Sequence, residues 1–362
     1  MRYRLYVTML IAALTLGWAA GCTTLPLKPA PTPAPWAKEL VFYDWEGDMP
    51  QAVLDAFTHE YGVEVTYLTY PSTEEAVENI RAGQVYDVVV IENRLISALT
   101  RDSLLAEIDY RNVPNFKHIS PNFRDLAYDP RNKHSVPFNW GTTGLVVRGD
   151  LVEKPVTHWS ELWNPRYAGK VGVWKGQSRE LISLTLKSLG YSANSESPEE
   201  LEAALKRLLE LGPNSIFMED WDPVTAAPLL VDGRVVIAMG YAYDVLKSRQ
   251  QNESILYVLP EEGALLWGDN FTIPANSPHK ETAELFVNFV LRPEISAKIM
   301  NENYYPMAND AAGAFMDPAI RDDPVIFPSD ASLKNAEIVL PLSPVGEKLY
   351  AAIWERFMAA EK

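Results

Sequence analysis

Cysteine is almost absent: one residue, Cys22, in a chain of 362. A lone thiol excludes an internal disulfide framework and any cysteine-rich metal centre. Histidine is scarce as well, and His59, His118, His134, His158 and His279 are scattered without ligand spacing. There is no GxSxG nucleophile elbow, no GxxxxGK[ST] phosphate loop and no HExxH. Two carboxylates can in principle run glycoside hydrolysis, but an acid pair is a cheap coincidence in a chain with 48 acidic residues. The composition thus points away from an enzyme, and no cofactor or metal is expected. Positive charge is in deficit: 32 Lys and Arg leave a formal net charge of -16. Such a chain is a poor general binder of nucleic acid or of anionic membranes. The excess charge suits cationic ligands, although most surface carboxylates are simply solvated. What is plentiful is apolar material, 47% of residues, enough to bury a sizeable core in two domains or one large one.

Long apolar runs are missing too, except at the start. Arg2 and Arg4 precede a largely apolar stretch from Leu5 to Leu16, and small residues lead to Cys22. This is the layout of a secretory signal peptide over residues 1–21. The run is short for a membrane span. The ending Ala19-Ala20-Gly21-Cys22 resembles the bacterial lipobox, in which the cysteine thiol is diacylated and becomes the new N-terminus; Ala19 stands where leucine is usual. The resemblance implies a lipidated Cys22 that holds the protein at a membrane surface. Ordinary cleavage leaving a free thiol is the plainer alternative. Residues 23–37, TTLPLKPAPTPAPWA, contain five prolines and read as an extended polyproline spacer.

From Lys38 onward, strand and helix patterns alternate. Glu39–Trp45 predicts a strand, and Pro50–Tyr61 a helix with Val53, Leu54, Phe57 and Tyr61 on one face, closed by Gly62. Val63–Tyr67 is a second strand. Ser72 with Glu75 is a capping-box pattern for a helix running to Gly83. Tyr86–Ile91 is a continuous apolar strand, as expected in a parallel sheet covered on both faces. Pro137–Val147 reads as a strand crossing into a second lobe. That lobe adds a strand at 170–174, a helix at 178–189, a helix opened by Ser197-Pro198-Glu199-Glu200 and a strand at 233–239. Trp267–Pro274 returns to the first lobe, and helices follow at 278–291 and 293–301. The alternation implies an α/β fold. Ligands of open parallel sheets sit beyond the carboxyl ends of the strands. The first and third strands end at Trp45-Glu46-Gly47-Asp48 and at Glu92.

Seven segments carry a family likeness: LVFYDWEGDMP (40–50), YDVVVIEN (86–93), SVPFNWGTTGLVV (135–147), THWSELWNPRYAGKVGV (157–173), SRELISLTLKSLGYSANS (178–195), GALLWGDNFTIPANS (263–277) and NFVLRPEISAKIMNENYYPMAN (288–309). In order and spacing they resemble the bacterial spermidine/putrescine-binding proteins of ABC importers, over about residues 38–350. The resemblance implies a two-lobed periplasmic-binding-protein fold of type II, each lobe a mostly parallel sheet flanked by helices. Lobe 1 would comprise 38–141 and 268–310, and lobe 2 would comprise 142–267 and 311–362. It further implies a monomer in the periplasm or on the outer cell surface, a polyamine-like ligand held between the lobes, and ABC permease subunits as partners. Ammonium groups would meet carboxylates while the methylene chain lies between aromatic rings.

By resemblance, Trp45 matches the tryptophan of the first-strand motif, and Glu180 matches an amine-binding glutamate. Trp267 and Asp269 match the tryptophan and aspartate of the central site. Tyr305 matches the tyrosine before the YP turn, and Tyr241 falls at an aromatic-wall position. Plainer readings stand beside these. Trp45, Trp267 and Tyr305 can be core rings, Glu180 can pair with Arg179 or cap its helix, and Asp269 can cap a turn. Several positions depart from the family pattern. Glu46-Gly47-Asp48 replaces a Thr-Glu-Tyr type run, and Glu92 stands where serine is usual. Arg94 stands at an aromatic position, Gln177 at an acidic one and Leu342 near a glutamine. The site is therefore acidic but rearranged, and Arg94 either meets the ligand or pairs with Glu92 outside the pocket. The same scaffold can serve another cationic or amine-containing solute, or a ligand sensor. Tyr304-Tyr305 with Tyr241 and Tyr243 also resembles the paired tyrosines of ferric-ion binding proteins, since hard oxygen donors suit that cation.

Overall fold

The computed structural model describes residues 36–218 and 228–360; the segment read from the sequence as a signal peptide, Cys22 and most of the proline-rich stretch lie outside them. The first elements are β1 (Glu39–Trp45), α1 (Gln51–Tyr61), β2 (Glu64–Tyr70), α2 (Thr73–Arg81), β3 (Val88–Glu92) and α3 (Asn93–Arg101). Local chemistry sets their ends. Gly62 closes α1 in the left-handed conformation with its N–H on the Thr58 carbonyl, and the Ser72 hydroxyl caps α2 by accepting from Glu75 N. There follow β4 (Ser135–Arg148), β5 (Val171–Trp174), α4 (Ser178–Ser188), α5 (Pro198–Leu211), β6 (Ser215–Met218) and α6 (Pro228–Val231). Next come β7 (Ile237–Tyr241), α7 (Ala242–Arg249), β8 (Ile255–Val258), β9 (Leu265–Thr272), α8 (Lys280–Val290) and α9 (Pro293–Asn303). The chain ends with α10 (Pro318–Arg321), β10 (Glu337–Ile338) and α11 (Pro344–Ala360). The strand predicted at 233–239 forms later, at 237–241, because Gly233 takes a left-handed turn first.

The strands follow the order β2-β1-β3-β9-β4-β7-β5-β6, with β10 beside β9 and β8 beside β4. Pairing is parallel within β2-β1-β3 and within β7-β5-β6, and antiparallel wherever β4 or β9 meets β3, β7 or β8, or the two meet each other. β4 and β9 are therefore the shared central strands, and two large hydrophobic cores form on either side, with a smaller third around Tyr43, Ile80, Val89 and Ile96. One gathers Phe42, Phe57, Phe138, Phe271, Phe286 and Phe289 beneath β1, β3 and α8. Each such ring contributes roughly 1.5–3 kcal/mol on burial. The other core gathers Trp159, Val171, Leu184, Leu205 and Ile237 with Tyr350, Ile353 and Phe357 of α11. Ala312 and Met316 still belong to the first core.

Candidate functional site

β1 and β3 run parallel, so both end at one edge of the sheet. β1 delivers Asp44 and Trp45 there and β3 delivers Glu92. β9 runs antiparallel to β3 and places Asp269 directly opposite Glu92. Side chains alternate along a strand, so Trp267 shares the face of Asp269. Trp267 is opposite Gly141 of β4, and its indole lies over that glycine where a Cβ would collide with the ring. β4 carries one extra residue between Pro137 and Trp140. Such a bulge re-aims side chains. Here Asn139 Nδ2 donates to Asp48 Oδ2 at 3.0 Å. The turn after α9, with Tyr304 left-handed, is tied back by Asn303, which donates to the Asp48 carbonyl and accepts from Tyr305 N.

From the other side come α4 and the β7–α7 junction. Glu180 sits in the first turn of α4 and is buried. It accepts from Thr143 Oγ1 at 3.0 Å and from the Tyr241 hydroxyl at 2.6 Å. Arg179 turns away from it: its guanidinium bonds Asn194 Oδ1 and the Leu340 carbonyl and lies over the Tyr350 ring. The aromatic residues are contiguous. Tyr241 meets Trp267 edge-on with centroids 6.1 Å apart, Trp267 meets Tyr305 at 5.8 Å, and Tyr305 stacks on Tyr243 at 5.4 Å. Trp45 packs edge-on against Tyr70 at 4.9 Å.

The electrostatics are lopsided. Burial pushes the Glu180 carboxyl up to about 7, against the hydrogen bonds from Tyr241 and Thr143. Burial likewise raises Asp48 to about 7. Asp44 is pushed well above the carboxylate range by burial and by Asp48 and Asp269; burial, Glu92 and Asp48 do the same to Asp269. Arg94 is the cation that acts on both Asp269 and Glu180. Asp44 Oδ2, Asp269 Oδ1 and the Trp267 indole nitrogen are buried without a hydrogen-bond partner. Unpaired buried carboxylate oxygens are costly. A cluster of them lined by aromatic faces is a receptor for cations.

The structure brings together Trp45, Asp48, Glu92, Arg94, Glu180, Tyr241, Trp267, Asp269 and Tyr305 through the contacts and fields above. Glu46 is exposed in the turn where Gly47 adopts φ 86°, whereas Asp48 of that pair is buried. Gln177 is half-buried at the N-cap of α4, and its side chain caps no helix N–H. Arg94 pairs with Glu92 at 2.5 Å and with Glu74 at 2.7 Å. Leu342 packs on the second core. Three residues were missed: Asp44, Asn139 and Thr143 belong to the same cluster, and the readable signal was a charged residue inside the apolar β1. Of the tyrosines considered for a ferric site, Tyr243 and Tyr305 stack on each other; among the described residues there is no group of three or more His, Cys, Asp and Glu able to hold a metal.

The chain has known relatives. Residues 52–328 match the model of the family described as bacterial extracellular solute-binding protein. The chain belongs to that family. It is 34% identical over 301 residues to the spermidine/putrescine-binding periplasmic protein of Escherichia coli, covering 82% of this chain and 85% of that one. It is 27% identical to a putrescine/agmatine-binding protein of Pseudomonas aeruginosa over 89% of this chain and 92% of that one. Among solved structures, a spermidine/putrescine ABC transporter substrate-binding protein of Streptococcus pneumoniae superposes with TM-score 0.80 at 28% identity, covering 90% of this chain and all of that one. A lipoprotein of Treponema pallidum does so with TM-score 0.80 at 26% identity, over 88% and 99%. These neighbours share the two-lobed architecture. Among the described residues no helix is long and apolar enough to cross a membrane.

Proposed function

We propose that this protein is the capture component of an ABC importer for a polyamine, closing its two lobes on the ligand and handing it to a permease. The observation that carries the reading is the buried carboxylate cluster of Asp44, Asp48, Asp269 and Glu180, with open oxygens on Asp44 and Asp269 and a wall of Trp267, Tyr241 and Tyr305. Protonated amines supply the charge that the cluster lacks, and in a closed cleft each charge-assisted hydrogen bond contributes about 1.5–3 kcal/mol. The acids are carried by β1 and β9 on one side and by α4 on the other, so a ligand that bridges them favours the closed state by its differential contacts. The names of the relatives agree with this chemistry.

The test is calorimetric titration with putrescine, spermidine and agmatine. A dissociation constant below about 100 μM for at least one of them, roughly -5.5 kcal/mol, is expected; none binding at that level sinks the reading. Membrane attachment through Cys22 is part of the same proposal. Cys22→Ser should move the protein from the membrane to the soluble fraction, and a variant that stays membrane-bound removes the anchor.

A further inference from the structure

Glu92 and Asp269 face each other across β3 and β9, yet their surroundings differ. Asp269 Oδ1 has no partner. Glu92 has both oxygens taken: Oε1 accepts from the Thr73 hydroxyl at 3.0 Å and Oε2 from Arg94 Nε at 2.5 Å. Arg94 is itself clamped, with Nη2 donating to Glu74 at 2.7 Å. Its side chain is 21% exposed while Glu74 is 59% exposed, so the guanidinium spans from the acidic interior to the surface edge of α2. By contrast, among the described residues Glu180 accepts from the neutral hydroxyls of Thr143 and Tyr241.

The acids therefore fall into three stations. One is Glu180, on α4. A second is the trio Asp44, Asp48 and Asp269, at and just beyond the end of β1 and within β9 opposite the end of β3. The third is Glu92, and it already holds a cation supplied by the protein. The Trp267 ring, touching Tyr241 on one side and Tyr305 on the other, lies among them as a surface for methylene groups. We propose that Arg94 is a specificity residue that stands in for a third ammonium, so that the cleft takes a linear diamine in preference to a triamine. This rests on the polyamine reading of the site. A guanidinium in a two-carboxylate clamp is pre-organised and always charged, so a mobile ligand amine displaces it poorly.

The experiment is calorimetry with putrescine and spermidine on the full chain, in parallel for wild type, Arg94→Gln, Arg94→Lys and Glu92→Gln. Wild type should bind putrescine more tightly. Arg94→Gln unmasks Glu92, and the spermidine-to-putrescine affinity ratio should rise at least about tenfold, or 1.4 kcal/mol. Arg94→Lys keeps the charge and should hold the ratio near that of wild type. Glu92→Gln leaves an under-compensated guanidinium beside the cleft and should weaken both amines. A wild type that prefers spermidine overturns the inference. So does an unchanged ratio in Arg94→Gln, or a Glu92→Gln variant that loses spermidine alone. That last variant leaves Arg94 in place and tests the idea should Arg94→Gln fold poorly. A wild type that binds neither amine overturns the polyamine reading itself, and this inference with it.

Discussion

Ligand affinity should depend steeply on pH, in a direction fixed by the buried acids. Glu180 and Asp48 are both held at about 7 by burial. An ammonium ligand binds the ionised carboxyl, so binding pulls the proton off and lowers that pKa. Affinity must then rise as pH climbs through 7, and Asp44 and Asp269, also raised by burial, extend the rise in the same direction. Putrescine contributes nothing to this trend, because its amines, like that of lysine, stay protonated across the range. At pH 5 a group with a pKa of 7 is about 1% ionised, and freeing it costs about 2.7 kcal/mol at 1.36 kcal/mol per unit. One such group lowers affinity roughly a hundredfold between pH 8 and pH 5, and two lower it further. The assay is calorimetry with putrescine from pH 5 to pH 8 at fixed ionic strength, in pairs of buffers with different ionisation enthalpies. At least one proton should leave per ligand near pH 6. Equal affinities at pH 5 and pH 8, or no proton release, refute the reasoning.

Glu180→Gln separates function from stability. Because burial raises this group from 4.5 to about 7, its stabilising contribution to the ligand-free protein is full below pH 4.5 and lost as pH rises through 7. The variant should therefore be more stable than wild type at pH 8 by on the order of 2 kcal/mol and little changed at pH 4.5, by urea unfolding, while binding putrescine less well. No gain at pH 8 means that the carboxyl is not held by burial. Asp269→Asn should weaken putrescine binding by about 1.5–3 kcal/mol, whereas Glu46→Gln, at an exposed turn, should stay within about 0.5 kcal/mol of wild type by the same titration. Gly141→Ala places a methyl group inside the Trp267 ring, so the indole must leave its position. Affinity should fall at least about tenfold with a shift in tryptophan emission, and unchanged values show that Trp267 is not part of the wall.

Much of the fold was legible because it is local. The Gly62 stop after α1 and the Ser72 and Ser197 caps are short-range chemistry, and each formed where the sequence placed it. The apolar run before Glu92 marked a strand buried on both faces, and β3 is such a strand. Asp44 escaped notice for the same reason. In a strand covered on both faces, alternation does not say which side a residue serves, so an acid beside Trp45 carries no address. The bulge at Pro137–Trp140, which turns Asn139 onto Asp48, has no local signature apart from the proline.

The sequence by itself determined the elements, the deficit of positive charge and the family pattern, because periodicity, capping and composition are properties of neighbours along the chain. Only the tertiary structure decided which carboxylates are buried together, that Glu46 stays outside, and that Arg94 closes on Glu92 and Glu74 rather than standing free. Those outcomes depend on desolvation and on Coulomb fields between strand ends far apart in sequence, from Asp44 to Asp269, which exist only once β1, β3, β4 and β9 lie side by side.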